Sequence, residues 1–125
     1  MSSLATALPI ITLPAGAALS QGQHVKVSSG TVVAAGTSGT DVGLGIILED
    51  VASGDAASIA LLGSGSIVFV EASAAIALGA KVMPATTGRV ATATSTNSCI
   101  GVALQAATAA GHLIKVCLGN PSVTV

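Results

Sequence analysis

Two histidines, two cysteines and five carboxylates are the groups this chain offers for proton transfer, metal ligation or thiol chemistry. None stands at a working spacing. His24 lies in the alternating run Gln23 to Val27, and His112 follows Gly111 in a turn. Neither has a cysteine or carboxylate at ligand spacing beside it, whereas a zinc site needs three or four converging donors. Cys99 and Cys117, flanked by Ile100 and by Val116 and Leu118, form no C-x-x-C pair and read as small buried hydrophobes in neighbouring strands, with a disulfide between them as the alternative. Glu49-Asp50 is the one adjacent acidic pair and falls at a strand end, where carboxylates are solvated. Serines are plentiful, yet no G-x-S-x-G elbow occurs. The nearest segment, Gly63-Ser64-Gly65-Ser66, lacks the strand-to-helix turn that exposes a nucleophile. The glycine-rich stretch Gly36 to Gly45 does not precede a helix, so it presents no helix N-terminus to a phosphate. The chain reads as a non-enzyme with no cofactor and no metal.

The same poverty of charge bounds the partners. Only 7% of the residues are Asp, Glu, Lys or Arg, against roughly 25% in an ordinary soluble domain. A chain of 125 residues and 11.8 kDa makes one domain that exposes on the order of 6,000 Å² when folded. Four cations and five carboxylates are too few to keep that area in water. Part of the surface is therefore expected to be covered by a partner or by further copies of the chain. Lys26, Lys81, Arg89 and Lys115 are scattered, and Phe69 is the single aromatic. Nucleic-acid binding, which needs clustered cations and often stacking rings, is set aside. The mean hydropathy of +0.88 points toward a membrane. However, no run reaches the 18 apolar residues of a spanning helix, because Ala and Val alternate with Gly, Ser and Thr. The uncharged stretch Leu4 to Leu19 is broken by Pro9 and Pro14 and follows no basic region, so it does not read as a secretion signal.

What organises the chain is a repeat. Gly22-Gln23-His24-Val25, Gly45-Ile46-Ile47-Leu48 and Leu62-Gly63 return as Gly79-Ala80-Lys81-Val82, Gly101-Val102-Ala103-Leu104 and Leu118-Gly119. Gly45 and Gly63 are 18 residues apart, as are Gly101 and Gly119. Glycines and aliphatics recur here, not acids, bases or nucleophiles, which marks a duplicated scaffold. Each copy reads as short strands between turns: Gln23 to Val27, Thr31 to Ala34, Gly43 to Glu49, Ala57 to Leu62 and Ser66 to Val70, then Lys81 to Met83, Arg89 to Ala93, Ile100 to Leu104 and Leu113 to Leu118. In Gln23 to Val27, Val25 and Val27 share one face and His24 and Lys26 the other. Gly43 to Glu49 is a near-continuous apolar strand and reads as buried on both faces. Gly45 and Gly101, inside strands, mark a bend or a close backbone approach. About nine short strands with these turn signals give an all-β fold, a small barrel or sandwich with internal duplication.

Residues 1–15 differ from the rest. The segment MSSLATALPIITLPA is apolar, punctuated by Pro9 and Pro14 and without period, so it reads as an extended N-terminal arm preceding a domain over 16–125. An uncharged aliphatic arm is expected to lie on the domain or on a neighbour. Leu4, Leu8, Pro9, Ile10, Ile11, Leu13 and Pro14 are its candidate contact residues.

Pro14-Ala15-Gly16, Gln21 to Val25, Gly43 to Asp50, Leu78 to Val82, Gly88-Arg89-Val90, Ile100 to Leu104 and Ile114-Lys115-Val116 together resemble the phage head decoration (capsid cement) proteins built on a β-tulip domain. Their order and spacing carry the resemblance over nearly the whole chain. It implies a homotrimer on the outer surface of an expanded icosahedral capsid, made in the host cytoplasm and binding the major capsid protein to stabilise the shell. A carbohydrate- or surface-binding β module of a virion fibre or adhesin is the alternative, weakened by the single aromatic. A repeat of a larger shell or sheath is a third.

Overall fold

The computed structural model describes residues 10–35, 43–94 and 98–123, and across these the repeat in sequence is a repeat in space. The first half forms β1 (Ile10–Pro14), β2 (His24–Ser28), β3 (Thr31–Ala34), β4 (Gly45–Ile47) and β5 (Ala56–Leu61). The second forms β6 (Ile67–Glu71), β7 (Lys81–Pro84), β8 (Val90–Thr92), β9 (Ser98–Ala103) and β10 (Leu113–Val123). The halves give two antiparallel five-stranded sheets, ordered β1-β5-β4-β2-β3 and β6-β10-β9-β7-β8. Each strand of the second occupies the place of its counterpart in the first. The all-β reading and the duplication therefore hold. One strand more than expected is present, and it comes from the region read as an arm: Ile10–Pro14 pairs with β5 in register from Ile10↔Ala60 to Pro14↔Ala56. Proline is tolerated there because β1 is an edge strand and Pro14 its last residue.

The sheets curl but do not close into barrels. In each, the chain just after the first strand meets the third at a single parallel bridge, Ala15↔Val32 in the first half and Ala72↔Val90 in the second. That leaves a seam between β1 and β3, and another between β6 and β8. A two-residue hairpin joins β2 to β3: Ser29 and Gly30 have φ of 52° and 80°, the pair of positive values whose twist matches the flanking strands. The equivalent connection from β7 to β8 is longer, with residues 85–89 between Pro84 and Val90.

Period-two alternation then divides each sheet into an inner and an outer face. Val25, Ile47, Ala57 and Ile59 fill the first core with Ala15, Leu19 and Val32. Val68, Val70, Val82, Val90, Ile114 and Val116 fill the second. Both expected approaches at the strand glycines occur. A Cβ on Gly45 would run into the Ala60 carbonyl oxygen, and one on Gly101 would sit 2.6 Å from the Cys117 oxygen. Gly119 has open space around it. Gly101→Ala is thus expected to cost about 1–3 kcal/mol by overpacking, while Gly119→Ala costs under about 0.5 kcal/mol. Urea midpoints of the two variants check the difference.

Candidate functional site

The groups able to do chemistry stay dispersed. Among the described residues no three His, Cys, Asp or Glu side chains come together as a metal site would require. His112 is exposed, its Nδ1 3.3 Å from Thr108 Oγ1. Both cysteines are free thiols, Cys99 buried in β9 and Cys117 half-buried in β10. Glu49 and Asp50 are exposed, and Asp50 Oδ1 accepts a hydrogen bond from the Gln21 backbone N–H at 2.8 Å. Glu71 and Arg89 pair at 3.1 Å, partly in solvent, a contact worth under about 1 kcal/mol. No helix of the described residues is long and apolar enough to cross a membrane.

His24 departs from expectation. Alternation on β2 places it on the outer face, yet it is fully buried, and its Nε2 accepts a hydrogen bond from the Gly43 N–H at 3.1 Å. The cause is the second half of the chain, which covers that face. Ile46 and Ala60, on the outer face with His24, join the core of the second sheet, and Leu48 and Leu62 pack beside them. The backbone is tied across as well. Glu71 N–H donates to the Gly22 carbonyl at 3.0 Å, and Gln23 Nε2 donates to the Thr87 carbonyl at 3.0 Å. Leu113 closes on Gly22, leaving only 2.6 Å to a Cβ there. The outer face of β2-β4-β5 thus lies over the seam between β6 and β8.

The equivalent positions of the second sheet are bare. Lys81 stands where His24 does, Val102 where Ile46 does, and Leu104 where Leu48 does; all three are exposed, Val102 by 37% against 0% for Ile46. Leu78, Ile67, Phe69 and Leu113 add further exposed apolar area to this half. The seam of the first half is open to a matching degree. Ile11 and Leu13 are half-buried, while their counterparts Val68 and Val70 are buried. Of the candidate contact residues, Leu4, Leu8 and Pro9 lie outside the described residues. Ile10 and Pro14 are exposed on β1, and Ile11 and Leu13 turn inward against the first core. The exposed face at Val102 and Leu104 was missed by sequence reasoning, which read Ile100 to Leu104 as a strand without saying which of its faces is bare. A signal was present, because Lys81 pairs with Val102 and Lys115 with Phe69 across neighbouring strands. Directly paired residues point to the same face, so each lysine marks an outer one.

A family model described as phage cement protein matches residues 6–118. The fold is similar to that of the head fiber gp8.5 N base of bacteriophage phi29, with TM-score 0.68 and 17% identity over 93% of this chain and 98% of that one. No match is found among the curated proteins.

The unequal cover of equivalent positions is directly measurable. His24→Ala removes a fully buried ring and the acceptor of the Gly43 N–H, so a loss of about 2–4 kcal/mol is expected in chemical denaturation. Lys81→Ala, at the equivalent exposed position, is expected to change stability by under about 0.5 kcal/mol.

Proposed function

The chain belongs to the phage cement protein family, and from that membership we propose that it is a decoration protein of the expanded icosahedral head. In this reading it sits on the outer surface as a homotrimer, at three-fold and quasi-three-fold positions. There it clamps neighbouring copies of the major capsid protein and stabilises the shell. The role is structural and uses no catalytic group. The observation that carries it is the apolar, charge-poor exterior: Ile10, Ile67, Phe69, Leu78, Val102, Leu104 and Leu113 are exposed on a chain with 7% charged residues. Exposed apolar surface on so weakly charged a chain belongs against another protein.

Attachment rests on burial at about 25 cal/mol per Å², repeated by each copy of a trimer so that modest contacts sum to firm binding. Leu4, Leu8 and Pro9, with the exposed Ile10 and Pro14, are the proposed contacts of the N-terminal segment with the capsid or a neighbouring subunit. Ile11 and Leu13 are committed to the first core.

Cosedimentation of the purified chain with expanded, undecorated heads tests the reading. Saturation at three copies per three-fold position, with a shell more resistant to heat, is expected. A chain that fails to sediment with heads overturns it and turns attention to glycan binding. Deleting residues 2–9, which leaves β1 intact, is expected to weaken head binding while the far-ultraviolet circular dichroism stays unchanged. Binding should also vary little between low and high salt, because so few charges are present to screen. A steep salt dependence in the same assay would contradict apolar attachment.

A further inference from the structure

The contact that joins the two halves uses different surfaces on equivalent units. The first half contributes its outer face, the second its seam. Inside one chain this contact is made once. The outer face of the second half and the seam of the first are left over, and by the repeat they are the matching pair. We propose that the outer face of β7-β9-β10, at Lys81, Val102, Leu104 and Cys117, docks onto the β1–β3 seam of a second copy of this chain. The docking would repeat the internal contact.

Three observations place the occupant. The strand orders of the two sheets superimpose element for element, so the internal interface defines the geometry that the outer one continues. Cover is unequal at paired positions and in the sense required: Ile46 is fully buried and Val102 exposed, Val70 fully buried and Leu13 half-buried. The backbone allows the approach. Gly79, the counterpart of Gly22, keeps its positive φ (84° against 87°) and has no atom within 4 Å of where a Cβ would be. Gly22 itself is closed by Leu113, whose counterpart in the first half is the exposed Ala56. Lys81 is the one charged substitution in the set. Its four-carbon stem can lie on apolar surface with the ammonium at the rim.

A contact between unlike surfaces passes from chain to chain in one direction and ends in a ring or a filament. Closure at three chains would make a ring of six equivalent halves. That number rests on the trimeric cement reading, whereas the docking contact does not.

Two variants at exposed positions test it by sedimentation velocity. Val102→Glu/Leu104→Glu spoils the outer face, and Pro14→Glu/Ala56→Glu spoils the rim of the seam. The wild-type chain is expected to sediment as three chains and each variant alone as one. An equimolar mixture of the variants is expected to give a two-chain complex, because one intact face meets one intact seam while the other pair repels. A wild-type chain that stays single, variants that assemble as the wild type does, or a mixture that stays single each overturns the proposal. Maleimide labelling of Cys117 in the wild-type chain gives a readout without substitution. Its rate is expected to fall as the concentration rises through the assembly range, and a constant rate counts against the docking. If chains assemble but ignore heads, the cement reading fails and the docking stands. If single chains and both variants decorate heads as the wild type does, the docking fails and the cement reading stands.

Discussion

The rest of the molecule depends on one buried surface, the outer face of β2-β4-β5 laid over the seam between β6 and β8. Neither curled sheet closes by its own hydrogen bonds. The second core is complete only because Ile46 and Ala60 enter it from the first half. Full burial of a side chain the size of isoleucine is worth about 1.5–3 kcal/mol, a large share of the margin by which a domain stays folded. His24 is the polar cost of this arrangement, offset by its hydrogen bond from Gly43. Gly22 and Gly88 serve the same end. A Cβ on Gly22 would sit 2.6 Å from Leu113, and one on Gly88 would sit 2.9 Å from the His24 carbonyl oxygen, so each lets the other half come closer than a residue with a Cβ would permit.

Much of this was legible in the sequence. The repeat of Gly22, Gly45 and Gly63 as Gly79, Gly101 and Gly119 predicts a duplicated unit of turns and strands, and the close approach at the strand glycines follows from their position. The near-continuous apolar run at Gly43 to Glu49 predicts burial on both faces, which Ile46 and Ile47 show. What was not legible is which faces touch. Alternation puts His24 and Lys81 on equivalent outer faces and cannot say that one is covered and the other bare. That depends on how two identical folds are set against each other, a long-range matter carried by Gly22, Leu113 and Glu71. The strand Ile10–Pro14 was hidden for a different reason. Its prolines and lack of strict alternation read as an arm, and only its pairing with β5 makes it part of a sheet.

The exterior follows from the same economy. Four cations and five carboxylates serve 125 residues, so long-range electrostatics contributes little to where this protein goes. Shape and apolar area must do the discriminating, and both concentrate on the second half. Membership of the cement family gives that surface a setting, since a capsid offers many identical sites at fixed spacing.

The order of the strands also governs how the chain folds as it is made. The hairpins β2–β3 and β7–β8 are local pairs, whereas β1 with β5 and β6 with β10 join residues far apart in sequence. Pairing of that second kind is slow, because loop closure precedes the contacts that reward it. The first sheet has all five of its strands once Leu61 has left the ribosome, well before β10 exists. Until the second half follows, the face carrying His24, Ile46 and Ala60 stands uncovered, and it presents the same adhesive surface to every other nascent chain. Nascent chains made close together therefore risk exchanging halves, and the short connection from Leu62 to Ser66 favours the chain's own second half by keeping it nearest.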